Sequence, residues 1–178
     1  MKMRIAMLGL VGALCMSGVQ AKAADTAGQD KKFVTESSEG SLGEIEMGKL
    51  ALKNSTNNDV RAFAQKMIHD HAMLIANMKP FADKMGVPAP TMDNWDRTLK
   101  DEYKRLEGKK GEEFDKDYIQ TMTDDHHKDF EDFTKERDTT ANAALKATVA
   151  KGTEVVKHHR DMVDMIAHKM NLNVPNKP

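Results

Sequence analysis

Histidines are the residues of this sequence best suited to chemistry. Six of the seven come in close pairs: His69/His71, His126/His127 and His158/His159. Imidazole binds metal ions and exchanges protons near neutral pH. On a helix the members of such a pair point in different directions. His71 lies four residues after Met67 and four before Ile75, on an apolar stripe. His69 is turned about 200° away and faces solvent. His126 sits between Met122 and Phe130 on its stripe, with His127 rotated off it. His159 shares a line with Gly152, Val156, Val163 and Ile166, from which His158 is rotated by about 100°. One carboxylate joins them. Phe33, Ser37, Gly40, Glu44, Met47 and Ala51 share a face, with Glu44 at its centre and Glu46 pointing away.

Axial height agrees with phase. Residues 44 and 71 are equidistant from the turn at Asn57-Asn58, so a hairpin folded there sets them level. Residues 126 and 159 fall within one helical turn, ~5 Å, of each other across a turn near residue 140. Glu44, His71, His126 and His159 are therefore expected to converge. Three imidazoles and a carboxylate form a ligand set for one transition-metal ion: zinc, iron or copper. Asp70 and Asp125 flank the stripe as hydrogen-bond partners behind the ligands. Met67–His71 and Met122–His126 are (i, i+4) pairs, and Met162 follows His159 by three. A thioether beside an imidazole suits copper, Cu(I) above all. Methionine also fills irregular helix cores, and Met73, Met85 and Met165 have no histidine at suitable spacing. Buried histidines and carboxylates can equally satisfy one another in a core without any ion.

The elements that must position these residues are four segments of helical periodicity. Segment A covers about 31–55 and B about 59–86, with Asn58 able to cap B. Pro80 is expected to kink B or end it early, and Gly86 stops it. Residues 87–111 form a longer connection: an extended Val87-Pro88-Ala89-Pro90 link and a short amphipathic piece at about 93–106. Segment C covers about 112–137 and D about 140–171. With no convincing strand pattern, the chain is expected to be all-α. It makes a four-helix bundle of two antiparallel hairpins, A–B and C–D, joined by the longer B–C connection. Gly40 and Gly48 share the inner side of A, with Gly43 less clearly placed. They either admit a close neighbour or mark a break near residue 43. An internal repeat supports the pairing of hairpins. Residues 63–71 and 118–126 both read aromatic-x-Gln-x-Met-x-x-Asp-His, which sets B in correspondence with C.

Composition bounds the function. The 178 residues are 39% hydrophobic and 31% charged, polar for a globular domain but not disordered. The net charge of −1 and a pI near 6.7 argue against a nucleic-acid partner. A single Cys excludes a disulfide framework, a Cys-based zinc site and an iron–sulfur cluster.

The first residues read as a secretory signal: Lys2 and Arg4, the uncharged run 5–19, then Ala21-Lys22-Ala23-Ala24. The run is too short to span a bilayer, which takes ~20 apolar residues. Cleavage is expected after Ala21, Ala23 or Ala24. Leu14 before Cys15 is too bulky for a lipidation site, so Cys15 leaves with the signal. Removing 1–24 takes three basic residues (Lys2, Arg4, Lys22) and no acid, leaving 24 basic against 28 acidic residues, net −4. The expected layout is a cleaved signal at 1–24, a polar lead-in at 25–31, the bundle at 32–171 and a polar tail at 172–178. The exported chain has no transmembrane helix of its own.

These motifs resemble a known family. They are Phe33-Val34 with Gly40-x-x-Gly43-Glu44-Ile45-x-Met47-Gly48-x-Leu50-Ala51, then Val60-x-x-Phe63-Ala64-x-x-Met67-Ile68-x-Asp70-His71. Phe114-Asp115-x-x-Tyr118-x-x-x-Met122-x-x-Asp125-His126 and Val156-x-x-His159 follow. Over residues 33–170 the chain is similar to the exported bacterial family called domain of unknown function 4142. The resemblance implies a ferritin-like four-helix bundle in the periplasm or associated with the outer membrane, and no assigned reaction. It carries Glu44, Asp70, His71, Asp125, His126 and His159 as motif residues. Thr153-Glu154 departs from the family, which usually has Leu-Pro there. The residues three before the motif histidines, Ile68, Thr123 and Val156, cannot bridge two irons, which argues against a carboxylate-bridged di-iron centre.

Two functions compete. One is an envelope protein that sequesters or senses a metal ion through the Glu/His set. The other is a non-catalytic stress-protection or interaction protein, acting with an envelope partner or as a homo-oligomer, whose buried His and carboxylate groups are structural. No nucleophile–base motif, phosphate loop or cofactor fingerprint is present, and no residue is singled out as catalytic or as binding an organic cofactor.

Overall fold

The computed structural model describes residues 17–176, and side chains from residue 26 on. The basic start of the signal, its apolar run up to residue 16 and Cys15 lie outside the described residues. Five helices follow: α1 (Ser17–Asn54), α2 (Asn58–Met85), α3 (Arg97–Leu106), α4 (Gly111–Thr139) and α5 (Ala143–Lys169). None of them is long and apolar enough to cross a membrane.

Local chemistry sets the boundaries. Asn57 Oδ1 accepts from the backbone N–H of Asp59 and Val60 and opens α2, so the cap is Asn57 rather than Asn58. Gly86, at φ 65°, closes it, with the Val87 N–H bonded to Ala82 O at 2.9 Å. Only glycine adopts that left-handed turn without penalty. Asn142 caps α5 in the same way as Asn57, through Ala144 and Leu145 N–H. Asp96 caps α3 through Leu99 N–H at 2.9 Å.

Three expectations need correction. Helix α2 does not end early at Pro80 but continues to Met85. Proline removes only one ladder bond, while Met78 and Ala82 stay buried on either side of it. Residues 25–31, expected as a frayed lead-in, are helical, with Asp30 buried. Helix α1 is continuous through its glycines, and the close one is Gly43. A Cβ there would lie 2.8 Å from Leu99 Cδ1 and 2.9 Å from Trp95 Cε3. At Gly48 a Cβ would lie 3.0 Å from Ala64 O, whereas at Gly40 nothing stands within 4 Å.

The hairpins α1–α2 and α4–α5 pack side by side, α2 against α5 and α1 against α4. Lys169 reaches Asp59 at 2.7 Å and His159 reaches Asp70 at 2.8 Å, so α2 and α5 run antiparallel. Asn54 bonds Glu107 O at 3.3 Å and Gln29 bonds Glu136 at 2.9 Å, which sets α1 and α4 antiparallel too. Going round the bundle the order is α1, α2, α5, α4. The repeat-bearing helices α2 and α4 are thus diagonal and parallel, as are α1 and α5. Residues 86–110 return along the bundle, and α3 packs over the edge between α1 and α4.

The apolar core is in two parts. One gathers Met47, Phe63, Met67, Tyr118, Met122 and Val163; the other gathers Val34, Leu74, Met78, Phe133, Leu145 and Val156. Along every long helix the break falls at the same level: residue 44 on α1, 71 on α2, 126 on α4 and 159 on α5. A polar layer divides the core there.

Candidate metal centre

Glu44, His71, His126 and His159 form that layer, each 1% exposed or less. One comes from each long helix. His71 and His126, 55 residues apart in the chain, face each other across the bundle with ring centroids 5.8 Å apart. His159 lies 5.2 Å from His71 and 5.6 Å from His126 by the same measure. Phe63 packs edge-on against His126 and His159 from the core side, at 6.0 and 6.4 Å.

Each ring has one nitrogen engaged and one left over. His159 Nε2 donates to Asp70 Oδ2 at 2.8 Å. His126 Nδ1 donates to Met122 O at 2.9 Å. His71 Nδ1 lies 3.2 Å from Ser41 Oγ in hydrogen-bond geometry, and 2.7 Å from Glu44 Oε2 in a contact too oblique to count as one. The remaining nitrogens, His71 Nε2, His126 Nε2 and His159 Nδ1, are buried without a hydrogen-bond partner. The three histidines present ligand atoms within 4.8 Å of one another. A buried polar atom without a partner costs roughly 1–3 kcal/mol. Three such lone pairs held close together are a costly arrangement that a cation would satisfy. This buried His triad could bind a metal.

Protonation favours it. Burial pushes His71 and His159 down to about 4 and His126 well below its ordinary value, the neighbouring imidazoles adding to the effect at His126 and His159. The rings are neutral at pH 7, the state in which imidazole ligates. Asp70 is held below the usual carboxylate range: burial would raise it, but hydrogen bonds from Lys66 and His159 outweigh that. An anionic Asp70 fixes His159 as the Nε2–H tautomer, the role a carboxylate plays behind a ligating histidine.

Glu44 occupies a different position. Its Oε1 is 3.3 Å from His126 Nε2 and its Oε2 2.7 Å from His71 Nδ1, so it stands between these two rings. Burial, then the charge of Asp129, push the Glu44 carboxyl well above the usual carboxylate range. Asp125 lies within hydrogen-bond reach of Glu44, and the two carboxyls face each other. Asp125 therefore backs Glu44, whereas its repeat-mate Asp70 backs His159. The diagonal pairing explains this: Asp70 turns toward α5 and Asp125 toward α1, so Glu44 and His159 are counterparts about the bundle axis. Glu44, Asp125 and His126 form a second set of close ligand atoms.

Met67 and Met122 are buried in the core part that holds Phe63 and Tyr118. His69 and His158 are exposed. His127, rotated off the stripe, is nevertheless buried, with Nε2 3.0 Å from Asp164 Oδ1. Three residues near the site escaped the sequence. Ser41 stands one turn before Glu44 and meets His71. Tyr118 has a buried, unpartnered hydroxyl, held protonated by burial and by Glu44. Asp129, one turn beyond Asp125, is raised to about 6 by burial. A helical spacing of three or four from a motif residue was the available signal for each.

None of the curated proteins is similar enough in sequence to match. Among solved structures, one from Streptomyces coelicolor described as "putative secreted protein DUF305" superposes with a TM-score of 0.68 at 16% identity, over 88% of this chain and 98% of that one. At that identity the likeness concerns the fold: an all-α bundle of two hairpins. The sequence motifs and the polar layer they build belong together, and over residues 15–166 the chain matches, and so belongs to, the family described as domain of unknown function (DUF4142).

Proposed function

We propose that the chain is an exported envelope protein that holds one transition-metal ion at the middle of its bundle. His71 Nε2, His126 Nε2 and His159 Nδ1 are the ligands, with Glu44 or water in the fourth position. The observation that carries this reading is the convergence of three buried, neutral, unpartnered ring nitrogens, each oriented through its other nitrogen. Three imidazoles suit Zn(II), copper and Fe(II) alike. Buried Met67 and Met122 beside the layer favour copper if their sulfurs turn to it. Export rests on the signal-like first 24 residues and on the name of the structural neighbour.

The site is buried and closed by core residues on two sides, which suits holding or sensing an ion more than turning over a substrate. Native mass spectrometry after loading with Zn(II), Cu(I) and Fe(II) tests this. One equivalent should bind with micromolar affinity or better, and His71→Ala, His126→Ala and His159→Ala should each abolish it. If no ion binds, or the three variants bind as well as wild type, the His/carboxylate layer is a structural core feature of an interaction or stress-protection protein.

A further inference from the structure

A cavity of about 500 Å³ lies between α1, α4 and the start of α3. Its walls include Phe33 and Phe133, and it carries the carboxylates of Asp96, Asp125, Asp129 and Glu136. Lys32, Lys128 and Lys135 line it as well, Lys128 tied to Asp132 at 2.6 Å and Lys32 approaching Glu36 at 3.7 Å. The inner carboxylates are left to act on what enters. Glu136, 2% exposed, has a buried Oε1 without a donor, and so does Asp125 at Oδ2. Asp125 is also the residue that meets Glu44, and Glu44, Asp125 and His126 offer ligand atoms within 4.8 Å of one another. His126 belongs equally to the triad. The cavity is thus connected to the three imidazoles by an unbroken chain of oxygen and nitrogen donors. The opposite flank, between α2 and α5, is built differently: Lys66 Nζ sits 2.8 Å from Asp70 Oδ2, the atom that also accepts from His159 Nε2.

We infer that the α1–α3–α4 cavity is the access route for the metal ion, and that Asp125 and Glu44 pass the ion to His126 and so into the triad. The route rests on the metal-binding reading above. Oxygen donors exchange a hydrated divalent ion readily and hold it less tightly than three imidazoles, so the carboxylate set is a waypoint and the histidines the destination. A cavity in which carboxylates outnumber lysines attracts cations and raises their association rates, by about 10-fold.

Cobalt(II) is the probe, since its visible bands report ligation, and the signal-free full-length chain is the sample. Gly40 lines the cavity, with nothing within 4 Å of an added Cβ, so Gly40→Phe fills it from a position that is not itself a ligand. Asp129→Asn removes charge without bulk. Stopped-flow mixing should show association slowed by about tenfold in Gly40→Phe and severalfold in Asp129→Asn, and release from Gly40→Phe slowed in proportion, so that its equilibrium affinity is unchanged. Gly40→Phe loading at the wild-type rate would overturn the route alone, as would a Lys66→Ala chain that loads faster while Gly40→Phe does not load more slowly. Absence of cobalt binding in wild type would instead remove the metal assignment, and the route with it.

Discussion

Asp70 Oδ2 receives two hydrogen bonds at 2.8 Å, one from His159 Nε2 in the core and one from Lys66 Nζ at the surface. The lysine keeps the carboxylate charged, and the carboxylate keeps the His159 proton on Nε2, leaving Nδ1 free toward His71 and His126. Asp70→Asn should retain the fold but lose this control of the tautomer. Metal affinity is expected to fall by about 10–100-fold, read by competition against a chromophoric chelator. An unchanged affinity would mean that the orientation of His159 is set by packing alone.

Bound metal should stabilise the fold. At zinc concentrations about 100 times the dissociation constant, the gain is roughly 2.7 kcal/mol, which for a chain of this size raises Tm by roughly 5–10 °C. A chelator should reverse the shift in wild type and have no effect on His126→Ala. A Tm indifferent to zinc and chelator would favour the purely structural layer.

The metal-free protein should show a compensated response to acid. His71 and His159 ionise near 4 when folded and near 6.5 when unfolded. Between these values the unfolded chain binds more protons, so their contribution to stability is lost as pH falls. Asp129 titrates near 6 when folded instead of near 3.8. Its raised value makes the folded chain bind the extra proton, so its contribution is lost as pH rises through about 4–6. The two tendencies oppose each other over the same window. Asp129→Asn removes one of the opposing contributions, while the raised Glu44 and Asp125 carboxyls stay in both proteins. Stability between pH 6 and 4.5 should then fall more steeply than in wild type, by about tenfold in the folding equilibrium constant per pH unit for each uncompensated proton. Urea titrations at several pH values measure it, and parallel slopes in the two proteins would contradict it.

Two glycines should respond in opposite senses to alanine. At Gly152 a Cβ would lie 2.6 Å from Phe133 Cε1, and Phe133 is held edge-on against Phe33 at 5.0 Å. Gly152→Ala should cost about 1–3 kcal/mol through overpacking. At Gly40 the space is open, so Gly40→Ala should gain about 0.5–1 kcal/mol of helix propensity. Thermal unfolding of the pair distinguishes close packing from backbone preference.

Much of this arrangement was legible from spacing alone. The stripes placed Glu44, His71, His126 and His159 inward, and the hairpin turns set them level, because helical phase and rise are properties of the local chain. Which helix neighbours which is not local. Whether Asp125 would meet His126 or Glu44 depended on α1 lying beside α4. The burial of His127 depended on Asp164 approaching from α5, and the closeness of Gly43 depended on Trp95 and Leu99 folding back from the connection. The start of α1 was set too late because residues 25–31 carry almost no apolar side chains. Packing of Asp30 and Gln29 near Glu136 accompanies helix there instead.

Three specific ring nitrogens, His71 Nε2, His126 Nε2 and His159 Nδ1, are expected to ligate the ion. Long-range ¹H–¹⁵N correlation of the histidine side chains, recorded before and after one equivalent of zinc, tests it atom by atom. The expected result is that His71 and His126 bind through Nε2 and His159 through Nδ1, each with its other nitrogen protonated throughout, while His69 and His158 do not move. Spectra in which any of the three keeps its free nitrogen unchanged on adding zinc would contradict the site.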